Sequence, residues 1–199
     1  EPDDDKATQM MRGISGALEK HHNVLILDEA LSSAVKLSRR YIPARQLPDK
    51  AVSILDTACA RVALSQNSDP AELEFCKRKI SALELERDIN REQAEGCEHT
   101  EKLEAIEKEI TAQNEKKTAL EDRLAKEKAV VEECRKLRDE LREKGSSDET
   151  IRTALLAKQK ELSELQGEDP LVLPQVDTQA VSTIISEWTG IPLGRMVKN

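Results

Sequence analysis

The chain has 199 residues, of which 38% are apolar, 2% aromatic and 35% charged, and it carries a net charge of -8. That is too little apolar material for one compact core and the wrong composition for a β-sandwich or barrel; the excess of Glu, Lys, Leu, Ala and Arg favours long helices and coiled coil. The acidic balance, with no clustered basic face, excludes nucleic acid and an anionic membrane surface as main partners.

The first predicted helix carries Met10, Met11, Ile14 and Leu18. A second period runs through Leu31, Ala34, Val35, Ser38, Tyr41 and Ile42, with Asp28 as its expected N-cap. A third helix is expected to open at Pro48, whose missing N–H costs nothing in a first turn, and to bury Val52, Leu55, Cys59, Val62 and Ala63. Asp69-Pro70-Ala71-Glu72 then combines an N-cap candidate, a proline at N1 and a Glu at N3. From there Leu73, Cys76, Ile80 and Leu83 step by three and four, and the ladder continues through Arg87, Asn90, Ala94 and Cys97.

Around Gly96 to Thr100 the register breaks, which predicts a polar turn and a first reversal there. A new ladder, Leu103, Ile106, Ile110, Gln113, Lys117, Leu120, Leu124, Val131 and Cys134, predicts a helix to about Lys144. Gly145 marks a second reversal, after which Ser146 and Glu149 offer a capping box for a segment carrying Ile151, Leu155, Leu156, Leu162 and Leu165. Polar groups at the seam positions Arg87, Asn90, Gln113 and Lys117 predict marginal pairing along that stretch. Beyond Pro170 and Pro174, a last helical face holds Val176, Ala180, Val181, Ile184, Ile185 and Trp188, and Gly190 and Pro192 stop it. Trp188 is expected to be buried against apolar residues of 1–70.

Charge density separates these pieces: residues 71–168 hold 20 Lys/Arg and 26 Asp/Glu, whereas residues 171–199 hold two of each. The expected fold is all-α, a small helical subdomain (1–68 and 171–199) with an inserted antiparallel coiled-coil rod (69–170). Cys59, Cys76, Cys97 and Cys134 match neither CxxC metal spacing nor a disulfide framework, and read as reduced packing residues. No apolar run approaches the roughly 18 residues that span a bilayer, and acidic Glu1 to Asp5 is no signal peptide, so a cytoplasmic location is expected. The chain starts without Met, as an excised segment of a longer protein would.

Val24-Leu25-Ile26-Leu27-Asp28-Glu29 has the strand-plus-acid look of a nucleotidase, where the acids hold Mg²⁺ and activate water. That chemistry also needs a GxxxxGK[ST] loop to cradle the phosphates, and the chain has none, so Asp28 and Glu29 read as the cap and first turn of a helix. His21 and His22 are adjacent, point about 100° apart on a helix and cannot chelate together. His99 beside Cys97 reads as a coincidence of the expected turn. No Ser, Cys or carboxylate stands with a base in a nucleophile pattern, so no catalytic residue and no metal ligand is assigned, and the chain is expected to be inert alone.

Two strings carry a resemblance. RYIPARQLPDKAVSILDTACARVALS, residues 40–65, resembles the small α-helical subdomain that closes the first ATPase module of the Clp/Hsp100 double-ring unfoldases, and EWTGIPLGRM resembles their linker into the second module. The predicted rod falls where that family carries its coiled-coil middle domain. Within the family the wording IPARQLPDKAVSILDTACAR is closest to the ClpV branch, the type VI secretion ATPases, and less like the ClpB disaggregases.

The resemblance implies a hexameric AAA+ parent that uses ATP and, in the ClpV branch, disassembles contracted secretion sheaths. It places Leu47, Pro48 and Asp49 on the adenine side of a nucleotide held mainly by the absent large subdomain; Pro48 and Asp49 equally well just start a helix. It implies protein partners, a homohexamer in the parent, and contact with the secretion sheath or an accessory protein. The chain itself is expected to hold no cofactor, and its rod to regulate ring assembly or ATPase activity or to dock a partner. The alternatives are the same region of a ClpB-like disaggregase, with the rod as a chaperone dock, and a free-standing coiled-coil scaffold. The scaffold does not account for ATPase-module strings at both ends.

Overall fold

The computed structural model describes the backbone of residues 1–93 and 97–194, and the side chains of 1–93 and 99–194. Among the described residues there are seven helices and no strand: α1 Asp4–His22, α2 Asp28–Tyr41, α3 Asp49–Asn67, α4 Ala71–Glu92, α5 Cys97–Lys144, α6 Glu149–Gln166 and α7 Thr178–Thr189. The fold is all-α, as expected. Its internal contacts divide it into two units, Glu1–Ser68 with the chain from Leu173 onward, and Asp69–Val172.

In the first unit α1 begins where the Asp3 side chain accepts the Lys6 N–H at 2.8 Å, and ends at left-handed Asn23 (φ 55°). Asn is among the few non-glycine residues that adopt this conformation readily. The helices α1, α2, α3 and α7 enclose one core, filled by Met11, Val35, Ile54, Leu55, Ile184 and Ile185, all fully buried. Besides this core, the two segments of the unit share a short backbone pairing: the Leu27 N–H donates to the Val176 carbonyl at 3.0 Å and the Val176 N–H to the Leu25 carbonyl at 2.8 Å. These make a single parallel bridge between Ile26 and Val176.

Three sequence expectations are corrected here. Leu27, not Asp28, is the N-cap of α2, and it offers no side-chain cap. Asp28 lies in the first turn because its carboxylate is taken by Arg12, at 2.8 and 3.0 Å. Pro48 is the N-cap of α3, one residue before the helix proper. Trp188 remains 44% exposed, although Ile184 and Ile185 beneath it are buried. Helical spacing sets the face a residue occupies, but α7 ends at Thr189, and the indole sits on the rim of the core.

In the second unit α5 has 48 residues, about 72 Å at 1.5 Å per residue. Both α4 and α6 pack on it. Arg91 bonds Glu107 at 2.7 Å while Lys128 acts electrostatically on Asp69, so α4 runs antiparallel to α5. Lys158 reaches Glu133 at 2.6 Å and Arg123 reaches the Gln166 carbonyl at 3.1 Å, which fixes α6 antiparallel as well. The expected ladders are the packed ones: Leu73, Cys76, Ile80, Ile106, Ile110, Leu124, Cys134, Ile151, Leu155 and Leu162 are buried. The polar seam positions are partly covered too. Asn90 is 9% exposed and donates to the Glu86 carbonyl at 2.7 Å, and the Gln113 Oε1 is buried with no hydrogen-bond partner.

Local details differ from the sequence reading. Pro70 is the N-cap of α4, because the Asp69 carboxylate accepts from the Lys77 Nζ at 2.6 Å. Asp148, not Ser146, caps α6, accepting the Thr150 and Ile151 N–H groups at 3.1 and 3.3 Å. Leu156 is exposed, since its neighbour Leu155 takes the buried face and consecutive residues point about 100° apart. His99 and Thr100 are helical, within the first turn of α5. The reversal expected at Gly96, with Ala94, lies outside the described residues.

Candidate functional site

The three residues singled out for nucleotide contact open α3. The Leu47 side chain enters the core at 4% exposure, Pro48 is half-buried, and Asp49 is exposed in the first helical turn. Helix geometry holds this edge from behind: the Lys50 N–H donates to the Gln46 carbonyl at 3.1 Å and the Val52 N–H to the Pro48 carbonyl at 3.0 Å. The peptide between Leu47 and Pro48 is cis. The edge offers a half-buried proline ring and an exposed carboxylate, suited to lying against a flat, partly apolar group.

Lys50, 2% exposed, went unremarked in the sequence because a lysine at a helix start reads as solvated. Its Nζ donates to the Ile42 carbonyl at 3.1 Å and lies 3.8 Å from the Glu1 carboxylate, which also accepts the Leu47 N–H at 3.0 Å. Hydrogen bonding to Leu47, aided by Lys50 and Arg39 and opposed by partial burial, holds the Glu1 carboxyl below its ordinary value.

The two recognisable strings meet in space. Arg61 of α3 forms a two-pronged pair with Glu187 of α7, at 2.7 and 2.6 Å, which ties LPDKAVSILDTACAR to EWTGIP. That hydrogen-bonded pairing keeps the Glu187 carboxyl below its usual range. Within the core, burial pushes the Cys59 thiol up to about 12. A thiol so raised is packing, not a nucleophile. Cys76 and Cys134 are also buried and free of disulfides.

Val24 to Glu29 does not form a metal-binding edge. Its backbone makes the bridge to Val176, Asp28 pairs with Arg12, and the Ile26 N–H donates to the Glu19 carboxylate at 3.0 Å. His22 bonds Asp56 at 2.7 Å, and among the described residues no group of three or more His, Cys, Asp or Glu is placed to hold a metal ion. No described helix is long and apolar enough to cross a membrane.

On the second unit, sequence reasoning missed Glu127. It is fully buried in α5; its Oε1 accepts the Leu171 N–H at 3.0 Å and its Oε2 lies 3.4 Å from the Arg123 Nε. The signal was present, because the step of three from Leu124 and four to Val131 puts position 127 on the seam. Three large apolar side chains of α4, Phe75, Leu85 and Ile89, stand exposed. By helical spacing they fall within about 80° of arc.

The AAA lid domain family matches residues 3–108. The chain is 48% identical to the AAA+ ATPase ClpV1 of Pseudomonas aeruginosa, across 100% of this chain and 24% of that protein. It is 40% identical to the chaperone protein ClpB of Yersinia enterocolitica, across 100% of this chain and 23% of that one. Among solved structures, the Saccharomyces cerevisiae Hsp104–ADP complex aligns with a TM-score of 0.62 and 27% identity, covering 96% of this chain and 31% of the other. The chain spans about a quarter of the length of the curated relatives it matches. With the lid helices, the antiparallel pairing on α5 and the joined strings all present, the chain belongs to the AAA lid domain family, within the Clp/Hsp100 group of AAA+ proteins.

Proposed function

We propose that this chain is the lid and coiled-coil segment of a cytoplasmic, hexameric ClpV-like AAA+ ATPase that disassembles contracted type VI secretion sheaths. Residues 1–68 and 171–199 are its small lid subdomain and inter-module linker, and residues 69–170 its coiled-coil middle domain. The observation that carries this reading is the 48% identity to ClpV1 over the whole chain, against 40% to a ClpB. The parent uses ATP. Lacking a phosphate loop, this segment contributes without catalysing: Leu47, Pro48 and Asp49 border the adenine side of the nucleotide, consistent with the half-buried Pro48 and exposed Asp49 and with the ADP named for the Hsp104 relative. The rod, whose surface is charged in mixed sign, tunes ring assembly or ATPase rate through weak contacts with protein partners.

A second reading, a ClpB-like disaggregase whose rod docks a chaperone, is favoured by one feature, the exposed Phe75, Leu85 and Ile89 on α4. The full-length protein separates the two. The ClpV reading expects ATP-dependent release of subunits from contracted sheaths, retained after Phe75→Glu. Reactivation of aggregated protein that needs a partner chaperone, and is lost in Phe75→Glu, supports the second and refutes the first.

A further inference from the structure

We infer that Glu1 is a positioning residue for the Leu47–Asp49 edge, holding it in the geometry that receives nucleotide; this rests on the adenine-side reading above. Proline at 48 has no N–H, so the Leu47 N–H is the last backbone donor before α3, and it goes to a side chain 46 positions upstream, Glu1 Oε1, at 3.0 Å. Pro48 itself supplies no side-chain cap.

The Glu1 carboxylate is in turn fixed from two sides. Arg39 of α2 donates to the Pro2 carbonyl at 2.6 Å and pairs with Asp4, which pins the backbone on either side of Asp3. Lys50, buried on the first turn of α3, lies 3.8 Å from Glu1 Oε1 while its Nζ is anchored on the Ile42 carbonyl. One carboxylate therefore joins the segment leading into α1, the end of α2 and the start of α3 at the residues that border the proposed nucleotide. A charged acceptor makes the stronger kind of amide hydrogen bond, and a displacement of the edge by a fraction of an ångström changes what it can contact.

The test follows amide hydrogen exchange at residues 46–52 of the full-length protein while ADP is titrated, so that the half-effect concentration reports this edge alone. In the unsubstituted protein ADP slows exchange there. Glu1→Ala raises the half-effect concentration at least about threefold, and Glu1→Gln, which keeps an oxygen for the Leu47 amide, returns it to within about twofold. Arg12→Ala, on an exposed pair of the same unit, leaves it unchanged. A Glu1→Ala protein with an unaltered half-effect concentration overturns the inference, as does a Glu1→Gln protein as impaired as Glu1→Ala. If ADP protects nothing at 46–52 in the unsubstituted protein, the adenine-side reading itself fails and the inference falls with it.

Discussion

Glu127 offers the sharpest test of how the second unit is held, because a carboxylate occupies a seam position that its neighbours fill with Leu124 and Cys134. Replacing it by Ala removes the acceptor of the half-buried Leu171 N–H, an orphaning worth about 1–2 kcal/mol. It also leaves a void that adds about 1–2 kcal/mol. Against these stands relief from desolvating the carboxylate, whose Oε2 accepts no hydrogen bond. Arg123 loses an attraction across 3.4 Å, but it is a third exposed and keeps its bonds to the Gln166 and Asp169 carbonyls. Glu127→Ala should therefore destabilise the chain by about 2–3 kcal/mol net. Glu127→Gln keeps the Oε1 acceptor and the side-chain volume but sets a buried amide NH2 beside the Arg123 Nε in place of the charge pairing, so its cost should stay below that of the Ala variant, at about 1 kcal/mol. Urea unfolding followed by far-UV circular dichroism measures both, with the slope on denaturant unchanged. A Gln variant as unstable as the Ala variant would show that the ion pair with Arg123, not the bond to Leu171, secures this segment and would refute the reasoning.

Acid should weaken the fold through identifiable pairs: hydrogen bonds from Arg12, Lys77 and Arg61 hold Asp28, Asp69 and Glu187 below their ordinary values. Carboxylates depressed in the folded state stabilise it fully above the unfolded value of about 4 and lose that contribution as pH falls through the folded ones, so the melting temperature should be flat down to about pH 5 and decline below about pH 4. A triple Asp28→Asn, Asp69→Asn, Glu187→Gln variant should decline less steeply, and an identical slope would remove these pairs as the cause. Cys59, buried with its thiol pushed up to about 12, should resist alkylation at pH 8 until urea unfolds the chain; mass spectrometry of the modified peptide detects the opposite. Trp188, 44% exposed, should emit like a partly solvated indole and be quenched readily by acrylamide; a blue-shifted, quencher-resistant spectrum in this chain would contradict its place on the rim.

Helical periodicity is local, and it made much of this protein readable. Leu73, Cys76 and Ile80 must share a face of any helix they form, and so must Ile106, Ile110 and Leu124 along α5, whatever they pack against. The strings around Leu47-Pro48-Asp49 and Trp188-Thr189-Gly190 were legible for a different reason, since each is specific enough to point to a family without any knowledge of its partners.

What the tertiary structure alone decided is which competing local partner wins and where the cover over a face ends. Asp28 and Asp69 both have the chemistry of an N-cap, yet Arg12 and Lys77 take their carboxylates, and α2 and α4 start without them. Trp188 occupies the correct face of α7 and still meets solvent, because spacing along a helix carries no information on how far its neighbours extend. The Ile26–Val176 bridge, the Arg61–Glu187 pair and the Glu1–Leu47 bond join residues too distant in sequence for any periodicity to link. Glu127 and Lys50 are buried for the same reason: a charged side chain leaves water only where the fold brings a partner to it, and those partners, the Leu171 amide and the Ile42 carbonyl, are supplied by other segments of the chain.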